Sequence, residues 1–267
     1  MANRLLPNTL IFEITSRCNL DCLHCYNVWK NPFGYKIGEL PTIETLDLLN
    51  RFLTQTGAKS VTLTGGEPLL RNDLPEIISW LNSRKVSVNL ISNGNLLCQE
   101  KWIAALCGKI SIFELPLLSC EREIHDRMSG FDGAFDSVTR AIAELKLAGE
   151  RVVSVFVATK LNLPTWAETL ELAFALGVDG VMFNRFNPGG RGFQNLQRLQ
   201  ATPEELQMAL RIGGVFSICP NSREFPLVTA VPEPIGHITP WIPSEISGPA
   251  IIHPRFSETS VKNRFNP

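Results

Sequence analysis

The chain has no long apolar run, no block of like charge and, beyond Cys120, only one further cysteine, Cys219. Each absence narrows what the protein can be. A membrane-spanning helix needs about 20 consecutive apolar residues, and none occurs. Met1-Ala2-Asn3-Arg4 leads into nothing like the apolar core of a signal peptide. The expectation is a cytoplasmic protein with no membrane partner, whose seven cysteines stay reduced and form no disulfides. Lys and Arg number 25 against 26 Asp and Glu, a net charge of −1, with both signs spread along the chain. There is neither a basic stripe for nucleic acid nor an acidic tail. What remains is 267 residues, 44% of them hydrophobic, enough for one large core or two small ones.

Three of the cysteines stand close together, in Thr15-Ser16-Arg17-Cys18-Asn19-Leu20-Asp21-Cys22-Leu23-His24-Cys25-Tyr26. The spacing is C-x3-C-x2-C, directly after an apolar, strand-like segment. Thiolate is the standard protein ligand of clustered iron. A [4Fe–4S] cube usually takes four, so three would leave one iron open to a substrate or cofactor. Other metal and redox chemistries fit less of the run. Structural zinc asks for four ligands in pairs; no second pair follows, and His24 is cramped between two of the cysteines. A thioredoxin-like C-x2-C read from Cys22 and Cys25 leaves Cys18 without a use, and covalent haem attachment requires His where Tyr26 stands. Cys98 and Cys107 fall in an apolar-periodic stretch, 96–107, and are expected as packed helix residues. Cys120 follows a strand and either packs there or reaches the active end of the fold.

Apolar β-type runs alternate with helix-period runs, which predicts an α/β fold with a parallel sheet. Strands are expected at 10–15, 60–64, 86–92, 109–117, 152–159 and 180–185. Helices are expected from Thr42 as N-cap, over 73–83 with Pro75 in the first turn, over 135–148 closed by Gly149, over 164–176 closed by Gly177, and after Thr202-Pro203-Glu204-Glu205. Beyond Pro220, prolines punctuate the sequence and regular structure is not expected. The domain reading is a core over 8–215 and a Pro-rich, irregular tail over 216–267.

The cysteine run and the downstream Val61-Thr62-Leu63-Thr64-Gly65-Gly66-Glu67-Pro68 resemble, in spacing and order, the two signatures of the radical S-adenosylmethionine (radical SAM) family. The resemblance implies a partial (β/α)6, TIM-like barrel with its chemistry at the C-terminal ends of the strands. It implies a [4Fe–4S] cluster on Cys18, Cys22 and Cys25, whose open iron chelates the amino and carboxylate groups of S-adenosylmethionine. Reductive cleavage of the sulfonium would then give a 5′-deoxyadenosyl radical for hydrogen abstraction, with electrons from an external flavodoxin- or ferredoxin-type donor. Gly65, Gly66, Glu67 and Pro68 resemble the segment that receives the methionyl amino group, the glycines leaving room for the cofactor. Tyr26 resembles the aromatic residue near the adenine, or else packs as an ordinary loop aromatic. Ser92 and Asn93 resemble contacts to the methionyl carboxylate or ribose, or else form a plain Asn-Gly turn with Gly94. Asn162 either bonds the ribose or starts the turn before Pro164. Arg185 and Arg191 are candidates for a carboxylate contact.

His125-Asp126-Arg127, with Gly130 and Phe135, resembles a loop after strand four in branches that modify peptides or mature cofactors, including those with a C-terminal SPASM domain. Two departures stand out. Pro116 occupies the position of the serine that ends strand four in those branches, with Ser119 displaced beyond it. The late cysteine array that would hold auxiliary clusters is missing, since Cys219 alone cannot make one. The resemblance covers 10–215 and stops there; the tail is read as irregular, with a shortened remnant of such a C-terminal domain as one alternative. The expected activity is hydrogen abstraction in peptide modification or in maturation of a haem- or quinone-type cofactor, on a peptide or small-molecule substrate. The two departures motivate another reading, a catalytically incompetent cluster-binding partner or scaffold. A simple electron-transfer module is a third, for which neither GGEP nor a large barrel is needed.

Overall fold

The computed structural model describes residues 7–28, 39–218 and 227–230. Seven strands form one parallel sheet in chain order: β1 (Thr9–Thr15), β2 (Ser60–Gly65), β3 (Ser87–Ile91), β4 (Ile112–Pro116), β5 (Val152–Ala158), β6 (Gly180–Arg185) and β7 (Leu227–Ala230). The helices are α1 (Thr42–Thr56), α2 (Leu74–Ser83), α3 (Glu100–Leu106), α4 (Arg122–Ser129), α5 (Ala134–Leu147), α6 (Trp166–Ala175), α7 (Gly190–Gln194), α8 (Leu196–Leu199) and α9 (Pro203–Ile218). Each strand pairs with the next in sequence, so the sheet advances in one direction without a reversal. It does not close: β1 and β7 are its edges. This is the expected partial barrel. Among the described residues no helix is long and apolar enough to cross a membrane.

Alternation along the strands decides which side chains go where. Val61, Leu63, Val88, Leu90, Phe113, Leu115, Val152, Phe156, Val181 and Phe183 share one face and pack with the helices in a single core. The helices contribute Leu49, Leu74, Ile77, Ile78, Leu81, Val138, Ile142 and Leu145 at helical spacing. At one end Phe156, Trp166 and Phe183 stack together, and the Trp166 indole N–H donates to the Ala209 carbonyl at 2.8 Å, which ties α9 to the barrel. The intervening strand residues face the concave side. They are more polar: Glu13, Thr62, Thr64, Asn89, Glu114 and Asn184.

The expected elements are present, with differences that have local causes. Thr42 is the first helical residue of α1 rather than its cap; Pro41 precedes it, and the Thr42 hydroxyl donates to Asp73 Oδ2 at 2.6 Å. The stretch 96–107 is only partly helical. Cys98 lies in the turn before α3, its thiol on the Asn95 carbonyl at 3.1 Å, and Cys107 ends the helix. His125-Asp126-Arg127, expected in a loop, lies within α4. Thr202 does cap α9: its hydroxyl accepts from Glu205 N at 3.2 Å and Glu205 Oε2 accepts from Thr202 N at 2.7 Å, a capping box. The tail expected to be irregular from 216 contains the end of α9 and β7. Four residues are too few to read as a strand from sequence; their pairing with β6 makes them one. Cys219 and residues 231–267 lie outside the described residues.

Arg71 is the buried ion of the scaffold, 2% exposed. Its guanidinium pairs both oxygens of Asp73, at 2.9 and 2.5 Å, and donates to the Ile14 carbonyl at 2.8 Å. Arg71 holds the Asp73 carboxyl down at about 2. Substituting Arg71→Met leaves the Ile14 carbonyl without its side-chain donor and Asp73 with only the Thr42 hydroxyl and no counter-ion, and a loss of about 3 kcal/mol is expected in denaturant unfolding at pH 7. Because the Asp73 pKa is depressed, its share of stability is present above its ordinary value of 3.8 and is lost as pH falls towards 2. The deficit of the variant should shrink over that range.

Candidate active site

The loop that follows β1 carries Cys18, Cys22 and Cys25, all partly exposed, and its backbone is held on three sides. From β2, Gly66 N donates to the Thr15 carbonyl at 2.8 Å and Glu67 N to the Arg17 carbonyl at 2.7 Å. From the end of α4, the Ser129 and Met128 carbonyls accept from Asp21 N at 3.2 Å and Leu23 N at 2.8 Å. From the turn after β6, Gly192 N donates to the Cys25 carbonyl at 2.9 Å and Asn195 Nδ2 to the Leu23 carbonyl at 3.3 Å. A glycine stands at each contact because the two backbones touch. A Cβ on Gly66 would lie 2.0 Å from the Arg17 oxygen, on Gly130 2.1 Å from the Asp21 oxygen, and on Gly190 2.3 Å from the Asn27 oxygen.

The two glycines of GGEP are required by the packing of the cysteine loop itself. A Cβ at Gly65 would meet the Thr15 oxygen at 2.3 Å, so the space both glycines leave is filled by the start of the cysteine loop. Glu67 is fully buried and points into the protein. Its carboxylate accepts from Leu69 N at 3.1 Å, Ser92 Oγ at 2.9 Å and Asn93 N at 2.8 Å. Burial pushes its pKa up to about 7 against the pull of those three donors. Pro68 opens the short 3-10 turn Pro68–Leu70.

Ser92 and Asn93 are likewise engaged within the protein. Ser92 Oγ donates to Glu67 and accepts from Gly94 N at 3.1 Å. Asn93 Nδ2 donates to Asn19 Oδ1 at 2.8 Å and lies 4.0 Å from Cys18 Sγ, and Asn19 Nδ2 reaches Asn95 Oδ1 at 2.9 Å. The turn after β3 is thus bonded to the cysteine loop itself. Asn162 is fully buried, with Oδ1 accepting from Thr159 N and Oγ1, both at 2.8 Å. Its Nδ2 donates to the Leu118 and Val157 carbonyls at 2.7 and 3.0 Å. Every hydrogen-bonding position of that amide is used, which makes Asn162 a clamp between the ends of β4 and β5 in place of the expected ribose contact. Arg191 binds the Asp21 carboxylate and, at 3.0 Å, the Asp21 carbonyl, so it anchors the cysteine loop.

His125 and Asp126 organise their surroundings. His125 is 1% exposed, its Nδ1 accepting from Leu118 N at 3.2 Å, and burial pulls its pKa down to about 4, which keeps it neutral. Asp126 accepts from Gly133 N at 2.8 Å and Phe135 N at 2.7 Å and so starts α5. Ser119 is buried against Thr165 Oγ1 at 2.8 Å and does not replace the residue that Pro116 displaces.

Two expected residues remain open to a ligand at the mouth. Tyr26 is half exposed and hydrogen-bonds Glu13 on the concave face of β1; loss of solvent and the Glu13 charge push its pKa up to about 12. Arg185, at the end of β6, is half-buried, and its side chain makes no hydrogen bond or ion pair with a described residue. A third group was not legible. Asn27 is 4% exposed; its Nδ2 donates to the Gly65 carbonyl at 2.9 Å, while its Oδ1 is buried with no hydrogen-bond partner among the described residues. Buried polar atoms are normally paired. An orphaned acceptor between the cysteine loop and the GGEP segment suits the ammonium group of an amino-acid cofactor. Its only sequence signal is its place directly after Cys25-Tyr26.

Among the described residues no three His, Cys, Asp or Glu side chains converge on a single metal ion. An iron–sulfur cube asks for one thiolate per iron, spread over a loop, and a loop of this kind sits at the open end of a parallel α/β barrel. The chain belongs to the radical SAM superfamily, whose model matches residues 12–179. Members of that family are enzymes that bind a [4Fe–4S] cluster and S-adenosylmethionine. The PqqA peptide cyclase of Granulibacter bethesdensis is 28% identical over 205 residues, 76% of this chain and 54% of its own length. An AdoMet-dependent heme synthase of Methanosarcina barkeri is 30% identical over 186 residues, 70% of this chain and 52% of its own. The chain thus matches about half the length of these relatives. Streptococcus suis SuiB bound to S-adenosylmethionine shares the fold, with a TM-score of 0.71 at 14% identity over 85% of this chain and 51% of SuiB.

Proposed function

We propose that this protein binds one [4Fe–4S] cluster through Cys18, Cys22 and Cys25 and uses it on S-adenosylmethionine to start a hydrogen abstraction from a peptide or a cofactor precursor. The observation that carries this reading is the cysteine loop, held by backbone contacts from β2, α4 and the turn after β6, with Asn27 Oδ1 lacking a donor beside it. When bound, the cluster and S-adenosylmethionine supply the one-electron cleavage that yields a 5′-deoxyadenosyl radical. The chain's own residues hold and orient. Cys18, Cys22 and Cys25 each take one iron as thiolate. Asn27 Oδ1 receives the methionyl ammonium, Arg185 pairs a carboxylate at the mouth, and Tyr26 with Glu13 lines the entrance. Glu67, Ser92, Asn93 and Asn162 fix the loops on which those groups sit. An external flavodoxin- or ferredoxin-type donor supplies the electron. The peptide or cofactor substrate class is supported by the names of the relatives, one acting on the peptide PqqA and one making haem.

The reading is tested by electron paramagnetic resonance of the reconstituted, reduced protein. Adding S-adenosylmethionine should change the cluster signal, because the cofactor binds the open iron; an unaltered signal contradicts the reading. Cys98 lies in the turn before α3, bonded to the Asn95 carbonyl, and Cys107 ends that helix. Cys98→Ala and Cys107→Ala should leave the iron content unchanged, and lost iron in either would mean that the ligands are misassigned.

A further inference from the structure

The concave wall of β2, β3 and β4 holds four polar side chains that make almost no hydrogen bonds within the protein. Thr62, Thr64, Asn89 and Glu114 are 6%, 4%, 7% and 5% exposed. Their neighbours Val61, Leu63, Val88, Leu90, Phe113 and Leu115 lie in the core on the other face, so alternation turns these four inward. Groups this well buried normally find partners. Here the side chains make only one hydrogen bond with described residues, Asn89 Nδ2 to Thr62 Oγ1 at 3.5 Å. Glu114 has no hydrogen bond or ion pair to its carboxyl. Burial alone pushes its pKa up to about 7, with no charged side chain contributing.

The register places this group just inside the reacting end. Glu114 is two residues from the end of β4, beside Ile91, and the Glu114 carbonyl accepts from Ser92 N at 3.2 Å, immediately before the turn that bonds the cysteine loop. Thr64 stands in the same row, two strands away, opposite Glu13. On the next strand Val153, paired with Glu114, and Val155 are only half-buried, so the lumen is open at this level. The carboxyl lies beside Ile91 and Val153 in the sheet register, with no counter-ion and no hydrogen bond from a described residue, so it lacks both a donor and a positive charge. A burial this unfavourable persists where a ligand supplies what is missing.

We propose that Glu114, with Thr64 and Asn89, is the substrate-recognition recess of the half-barrel and receives a cationic nitrogen group, an amine or a guanidinium, carried by the substrate. This deepens the proposed function by naming a feature of the substrate, and it rests on that reading only for the direction from which the substrate enters. The apolar wall around the carboxyl would bury the alkyl stem of such a group, and the carboxyl would pair its charge.

The test uses the reconstituted protein with S-adenosylmethionine and simple probes. Binding of n-butylammonium and n-butylguanidinium is measured by calorimetry at constant ionic strength, with n-butanol as the neutral control. The cations are expected to bind at least 10-fold more tightly than butanol, and Glu114→Gln is expected to weaken them at least 10-fold. Thr64→Val, a gentler change, should weaken them a few-fold and serves if the glutamine variant does not fold. Cations that bind no better than butanol, or bind both variants as tightly as the parent, overturn the proposal. The readout is binding, not 5′-deoxyadenosine, so failure here is distinct from failure of the radical chemistry.

Discussion

Gly66→Ala is expected to yield a protein that retains little or no iron after reconstitution. The methyl group has nowhere to go: it would sit 2.0 Å from the Arg17 oxygen and 3.0 Å from the Ser16 oxygen. Both obstacles are backbone, one and two residues before the first ligand cysteine. Relief requires the two strand-end loops to separate, which breaks the Gly66 N–Thr15 O and Glu67 N–Arg17 O hydrogen bonds. Overpacking of a rigid site costs about 1–3 kcal/mol, and two lost hydrogen bonds add about 1 kcal/mol each. Gly190→Ala should behave alike, since its Cβ would meet the Asn27 oxygen at 2.3 Å and its φ is +49°. Gly57→Ala is the control. Its φ of +70° is unfavourable to alanine but nothing lies within 4 Å, so it should lose about 1 kcal/mol and keep its iron. Iron analysis and thermal melting of the three variants decide the matter. Full iron in Gly66→Ala would mean that the loop is not held as described.

The second large effect is expected from Glu67→Ala. Removing that carboxylate strands three donors, Leu69 N, Ser92 Oγ and Asn93 N, in a site closed to water. An unmet buried donor costs about 1–3 kcal/mol, so a loss of about 4 kcal/mol is reasonable, with loosening of the β2 and β3 turns. The effect has a defined pH dependence. Glu67 has a folded pKa raised to about 7 from an ordinary 4.5. Over that interval the unfolded chain releases the proton first, so the parent loses stability as pH rises from 4.5 to 7. The alanine variant lacks this term. Its deficit should be greatest at pH 4.5 and below and should narrow towards pH 7, as read from denaturant midpoints. A deficit that widens with pH would show that the three donors outweigh burial and that Glu67 is ionised at low pH.

Much of this architecture was readable because it rests on short-range patterns. Alternating apolar residues in Val61-Thr62-Leu63 or Val88-Asn89-Leu90 specify a strand whose one face is core, and Gly149 and Gly177 mark helix ends by their left-handed φ. The cysteine spacing and GGEP were legible as a pair since both are contiguous. The roles of single polar residues were not. Glu67, Ser92, Asn93 and Asn162 sit at strand ends where a cofactor contact and a structural clamp look alike in sequence. Only the partners distinguish them, and those partners are 25 or more residues away for Glu67 with Ser92, and 44 for Asn162 with Leu118. Asn27 and Glu114 escaped notice for the opposite reason: their significance is the partner they lack. β7 was hidden because a strand of four residues is defined by the neighbour it pairs with, not by its own pattern.

The central claim is that the loop carrying Cys18, Cys22 and Cys25 builds a radical-generating site. It is tested most directly by 5′-deoxyadenosine formation from S-adenosylmethionine by anaerobically reconstituted, reduced protein, measured beside Cys22→Ala. The account predicts product from the parent protein and none above background, a loss of more than 100-fold, from the variant. Absence of product from a parent protein with a full iron complement, or equal product from Cys22→Ala, would contradict it.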